Sequence, residues 1–284
     1  MHVRDPAVAG GFYPDNPEEL RNIIRYYIEK VDVRKREVIS LLAPHAGYTY
    51  CGKTFASVYK TIGNKFDTAI ILGSNHSGIG AGVATCLGSW KTPLGLVETD
   101  EVFFNELITD SIIMNDPKPH SREHSIEVQL PWLQYVFDYF KIVPILIKSS
   151  HYDVKSSQKI GNKIADVVKE LKRRTIIIAS SDLTHYGTIY GHVPYRGRPE
   201  EVLKRIREDD MSVISNIEKL KPEKVIETVE KERLTVCGYG PIASMLFAAK
   251  KLEASKGELI DYSTSYDVSK NLDAVVGYAG VAIY

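Results

Sequence analysis

The amino-acid sequence predicts a single α/β domain in three layers, with a mostly parallel central sheet covered by helices on both faces. Three observations carry this. Short apolar runs at residues 38–43 (VISLLA), 68–72 (TAIIL) and 175–179 (TIIIA) lack polar alternation, the pattern of strands buried on both faces. Helical periodicity separates these runs, and connections that long join parallel strands rather than hairpins. No repeat period, low-complexity tract or Gly/Ser linker divides the 284 residues, so they read as one domain.

The elements follow in order. Asn16 offers a capping side chain ahead of Pro17, with Glu18 and Glu19 in the first helical turn and Leu20, Ile23, Ile24 and Ile28 at helical spacing. The first strand run precedes a helical pattern at residues 53–62. Beyond the second run, helical patterns occupy 100–108, 125–137 and 154–171, with a strand at 142–147 among them. The third run leads to helices at 200–217, 222–229 and 241–252, then strands at 259–266 and 273–284 that suit an antiparallel sheet edge. Residues 116–120 and 187–199 read as surface loops.

Composition narrows the function classes. Lys plus Arg and Asp plus Glu each number 36, so no net charge favours nucleic acid or an anionic membrane. The basic run Lys169–Arg174 reads as a solvated helix end. No apolar stretch approaches the ~20 residues of a membrane span. The N-terminus lacks the apolar core of a signal peptide. The three cysteines, Cys51, Cys86 and Cys237, form no CxxC pair, and their odd number in a chain this long argues against a disulfide framework and for a reducing cytoplasm.

The chemistry lies where the strand runs end. The first leads into Pro44-His45-Ala46-Gly47, the second into Gly73-Ser74-Asn75-His76, the third into Ser180-Ser181-Asp182-Leu183-Thr184-His185. Open α/β sheets bind ligands beyond the carboxyl ends of their strands. Parallel neighbours would therefore bring His45, His76, Asp182 and His185 to one crevice. Cys237 stands just ahead of the helical pattern that contains Pro241. A thiol near a helix N-terminus has a lowered pKa and serves as nucleophile or soft metal ligand. Its alternative is a small buried hydrophobe, the reading given to Cys51 and Cys86. In Glu123-His124-Ser125-Ile126-Glu127, His124 and Glu127 share a helix face, either as a helix start or as a binding wall of the same pocket.

These motifs, APHAGY at 43–48, GSNH at 73–76, EHSIE at 123–127, SSD with His185 and TVCG at 235–238, resemble the Memo family in order and spacing. The opening AGGFYP at 9–14 and closing VVGYA at 275–279 extend the likeness across nearly the whole chain, which looks like a prokaryotic, archaeal member. The resemblance implies a fold similar to class III extradiol dioxygenases, metal positions at His45, His76 and Cys237, and further pocket residues at Asp182 and His185. It also implies iron or copper as cofactor, redox activity, phosphotyrosine-peptide ligands and cytosolic partner proteins; no nucleotide cofactor is expected.

Three functions compete. In a metal-dependent redox protein, of oxygenase type, His45, His76 and Cys237 would hold the metal while His185, oriented by Asp182, moves protons. In a metal-free enzyme, Cys237 would attack with His185 as base and Asp182 orienting it. In a binding module, His45, His76 and His185 would hold an anionic group, such as a phosphate or a peptide carboxylate, of a small-molecule or phosphopeptide ligand.

Overall fold

The structure is a computed structural model and describes residues 3–284. Four parallel strands form its centre, in the spatial order Ser40–Ala43, Thr175–Ser180, Thr68–Ser74 and Lys141–Ile147. Leu42 and Leu72 both pair with Ala179, so the first three strands end level. Val275–Ile283 runs antiparallel beside Ser40–Ala43, and Gly257–Thr264 antiparallel beyond it. On the other side Val83–Thr85 pairs antiparallel with Lys141–Ile147, and Met114–Asn115 lies next to it. With His185–Tyr186 against the start of Val275–Ile283, the sheet has nine strands among the described residues. It is the expected parallel core, with the expected antiparallel C-terminal edge and a further antiparallel strand, Val83–Thr85, on the other side.

Strand side chains alternate between faces, and each face has its own helices. Leu41, Ala43, Ile176 and Ile178 pack with Leu20 and Ile24 of helix Pro17–Lys30, Phe55 and Tyr59 of helix Tyr48–Thr61, and Trp132 of helix Leu130–Val136. Leu42, Ile177 and Ala179 face the opposite layer, made by helices Val154–Leu171, Pro199–Glu218, Pro222–Glu232 and Tyr239–Lys251. Each large apolar side chain so buried stabilises the fold by about 1.5–3 kcal/mol. Cys51 and Cys86 sit in this packing as expected, and all three cysteines are free thiols. No helix among the described residues is long and apolar enough to cross a membrane.

Two departures from the expected elements shape the site. The helix expected at 53–62 begins at Tyr48, with Gly47 as its N-cap, which brings His45 close to a helix start. The helix expected over 125–137 is a 3-10 turn, Glu127–Gln129, followed by helix Leu130–Val136. The Ser125 carbonyl accepts from Ser180 Oγ, and Gln129 N donates to Ile126 O instead. A second, three-stranded sheet of Val3–Arg4, Ser89–Thr92 and Gly95–Glu98 went unread in the sequence, because its strands are short and partly exposed.

Candidate functional site

The level strand ends place three turns together: His45 beyond Ala43, His76 beyond Ser74, and Asp182 to His185 beyond Ser180. Two loops pack onto them, and glycines make the room. A Cβ on Gly73 would lie 2.5 Å from Ser125 Oγ, and one on Gly238 2.7 Å from Ser181 Oγ. Ser125 Oγ donates to Ser74 O at 3.1 Å, which seats the loop bearing Glu123 and His124. Gly238 N donates to Ser181 Oγ at 2.9 Å, while Ser74 Oγ and Tyr152 OH donate to the Cys237 carbonyl, which seats the loop bearing the thiol.

His45, His76 and His124 each offer a ring nitrogen, and these atoms lie within 4.8 Å of one another. The His76 and His124 rings stack at 4.8 Å, and His45 stands edge-on to both. Their outer partners fix which nitrogens face inward. Ser180 Oγ gives its proton to Ser125 O and accepts from Gln129 Nε2 at 2.9 Å. It therefore also accepts from His45 Nδ1, 3.2 Å away, so the proton is on Nδ1 and the Nε2 lone pair points into the site, 3.2 Å from Cys237 Sγ. Glu123 Oε1 accepts from His76 Nδ1 and from the His124 and Ser125 backbone amides, all at 2.9 Å, and Oε2 from His76 N. A carboxylate that orients an imidazole in this way is the usual outer partner of a metal-binding histidine.

The electrostatics suit neutral ligands on two of the three. Burial, with the neighbouring His124 and His76 charges, holds His45 well below the ordinary histidine range. Burial likewise lowers His124 to about 4, against the pull of Glu123. For His76 burial works downward, but hydrogen bonds with Cys237 and Glu123 prevail and raise it to about 10.

Cys237 is partly buried, with Sγ 3.2 Å from His45 Nε2 and 3.6 Å from Asp182 O. The lowered thiol pKa expected from the helix start is not what the structure gives. Burial, followed by His76 lowering it and Asp182 raising it, leaves the Cys237 thiol above its ordinary pKa. Asp182 does not orient His185 either. Its Oδ1 accepts from His45 N at 2.7 Å, and burial raises its carboxyl to about 6. His185 is held instead by backbone carbonyls, Nδ1 lying 2.9 Å from Leu183 O and 3.0 Å from Thr235 O. Both residues line a cavity of about 490 Å³ that the three histidines also share.

The pair at 124 and 127 splits. His124 joins the imidazole cluster. Glu127 is not a pocket wall: it is fully buried and accepts from Arg4 Nη1 at 2.7 Å, Ala7 N at 2.8 Å, Val8 N at 3.0 Å and Tyr13 OH at 2.6 Å. The shared helix face failed because the chain there is a tight turn, not a helix.

The family model for Memo-like protein matches residues 4–282. The chain belongs to the Memo family. A MEMO1 family protein of Methanosarcina mazei is 41% identical over 284 residues, covering all of both chains. One from Methanocaldococcus jannaschii is 40% identical with 99% of each chain covered, and one from Pyrococcus horikoshii 37% with 98% of each. The crystal structure of an uncharacterized Escherichia coli K12 protein, JW3007, superposes with a TM-score of 0.54 at 14% identity, covering 87% of this chain and all of that one. That likeness concerns the fold alone.

In this Memo chain, reasoning from sequence missed the positions of Glu123, Ser180 and Gln129 around the imidazoles. Glu123 adjoins His124, and Ser180 opens the SSD motif, so a signal was present for both. Gln129 had none, since its amide reaches the site only through the turn at residues 125–129.

Proposed function

We propose that this Memo protein holds a transition metal, iron or copper, on His45, His76 and His124, with Cys237 at the edge of the site. The reading includes redox or oxygenase-type chemistry on a ligand in the adjoining cavity. The observation that carries it is the trio of imidazole nitrogens within 4.8 Å of one another, with His45 and His76 braced through their Nδ1 atoms. The donor set fits the group: imidazole suits iron, copper and zinc, and a thiol beside it adds a soft donor. It differs from the two-histidine, one-carboxylate set of non-haem iron oxygenases, so any kinship with extradiol dioxygenases is proposed for the fold and not for ring cleavage. Bound there, the metal would supply one-electron chemistry and an open coordination position. The chain's own residues do the rest. Glu123 fixes the His76 ring, Ser180 fixes that of His45, and His185 accepts a proton from the ligand. Three free thiols suit work in a reducing cytoplasm, where cytosolic protein partners would be met, and no nucleotide cofactor enters the proposal.

A second reading rests on the 3.2 Å between Cys237 Sγ and His45 Nε2. There the thiol is a nucleophile and His45, rather than His185, its base. Its raised pKa counts against this.

The test is anaerobic titration of reduced, metal-stripped protein with Fe(II), Cu(I) and Zn(II). Stoichiometric binding lost in His45→Ala, His76→Ala and His124→Ala, and only weakened in Cys237→Ala, is expected. Binding indifferent to the histidines, or none, would overturn the metal reading. Rapid alkylation of Cys237 that His45→Ala abolishes would then favour the nucleophile.

A further inference from the structure

Behind the imidazole trio lies a buried amide with no work yet assigned to it. Gln129 is fully buried and ends the tight turn that leads into helix Leu130–Val136. It does not line the cavity. Taking a primary amide out of water is unfavourable unless its hydrogen bonds are replaced, and a methionine would fill similar space without that burden. Here they are replaced in full. Nε2 donates to Pro44 O at 2.8 Å and to Ser180 Oγ at 2.9 Å, and Oε1 accepts from Tyr59 OH at 2.7 Å. A carbonyl can only accept, so Pro44 O settles which end of the amide is nitrogen, and the oxygen is left for Tyr59.

These partners belong to separate elements. Tyr59 stands on helix Tyr48–Thr61, Pro44 follows strand Ser40–Ala43, and Ser180 ends strand Thr175–Ser180. Both contacts of the amide nitrogen lead to one imidazole. Pro44 carries the backbone into His45, and Ser180 Oγ lies 3.2 Å from His45 Nδ1. The Tyr59, Gln129 and Ser180 side chains are all fully buried, where such bonds hold more firmly than in water.

We propose that Gln129, itself held by Tyr59, is a positioning residue for His45. It keeps the Pro44 carbonyl and Ser180 Oγ in place, so that the ring meets Ser180 through Nδ1 and turns Nε2 into the site. Without the amide, the Ser180 hydroxyl is free to turn from Ser125 O toward His45 Nδ1, and the ring proton then moves to Nε2. The proposal rests on the metal reading only for what the inward nitrogen serves.

The test uses the full chain, reduced and metal-free, with isotopically labelled histidine nitrogens. Nitrogen NMR distinguishes a ring nitrogen that bears a proton from one with a lone pair, and His45→Ala identifies the His45 signals. The native protein should show the proton on Nδ1. Gln129→Met should shift proton population to Nε2 and lower Zn(II) affinity about tenfold, as for outer partners of metal-bound histidines. Ser180→Ala should disturb the ring likewise, and the double variant should lose no more zinc affinity than the worse single one, because both act along one path. Tyr59→Phe, which removes a single oxygen, should give a smaller shift in the same direction, and it decides the matter if Gln129→Met does not fold. His45 signals unmoved in Gln129→Met or, failing that variant, in Tyr59→Phe would overturn the proposal. So would a native proton on Nε2, or additive losses in the double variant. The two readings fail separately. Shifted His45 signals in a protein that takes up no zinc sink only the metal site, and zinc uptake with unmoved signals sinks only the role of Gln129.

Discussion

Glu123 and Glu127 lie four residues apart in one segment, both buried, yet they do different work. Glu123 turns toward the cavity and spends its carboxylate on His76 and on the backbone amides of residues 76, 124 and 125. Glu127 turns away and gathers the N-terminal segment, pairing with Arg4 and accepting from Ala7, Val8 and Tyr13. Arg4 closes the loop between them, donating to the Glu123 and His120 carbonyls at 2.6 Å each while its guanidinium lies 4.3 Å from the Trp90 ring centre. Two like residues in one turn thus serve different ends: one orients a ligand set, the other fastens the segment whose Gly11 and Phe12 form part of the cavity.

The sharpest way to break this comparison is Glu127→Ala. It leaves the Arg4 guanidinium buried without its partner, and losses of about 3–5 kcal/mol are usual for such a change. A large fall in the urea midpoint is expected. A shift of a few tenths of a kcal/mol would show that water replaces the carboxylate and that the strap carries little.

Glu123→Gln should reverse the balance, with a smaller stability change and metal affinity down by roughly 10–100-fold, as for other outer partners of metal-bound histidines. Competition with a chelator measures it. Unchanged affinity would separate Glu123 from the site.

The two acids should also differ in pH response. With His76 raised to about 10 in the metal-free protein, an incoming metal must displace its proton, so affinity should climb as pH rises toward that value. The same interaction stabilises the metal-free fold fully below the ordinary histidine pKa, and this contribution is lost as pH rises through about 10. In Glu123→Gln the climb should end at lower pH, whereas Glu127→Gln should leave it in place. Proton release on metal addition reports it directly.

The smallest effect concerns a third buried acid, Asp210, which has neither an imidazole nor a guanidinium partner among the described residues. It accepts from Thr184 N and Tyr262 OH, and burial raises it to about 6. A carboxyl raised in this way costs stability as it ionises, so stability should fall as pH rises from about 4 to 6. Asp210→Asn should make that fall shallower in thermal melts, with Asp182 supplying what remains. An unaltered slope would assign the dependence to Asp182 alone.

The legibility of the site followed the range of the interactions involved. His45, His76 and Asp182 could be placed from the chain alone because each sits just past an apolar strand run, and parallel strands deliver their ends to one edge. Glu127 could not, because its partners at residues 4, 7, 8 and 13 are more than a hundred positions away. The expected thiolate at Cys237 failed for a related reason: proximity to a helix start is local, whereas the burial that raises the thiol comes from elements distant in sequence.

By itself the sequence determined the layered α/β fold, the Memo family and the strand-end placement of the histidines. Apolar periodicity, strand-end motifs and residue order are properties of the chain read in one dimension. Only the tertiary structure decided that His124 completes the trio, that Glu123 and Ser180 orient it, and that carbonyls rather than Asp182 hold His185. A hydrogen bond depends on the direction and distance of two groups within about 3 Å, and that is set by packing among elements whose separation along the chain carries no such information.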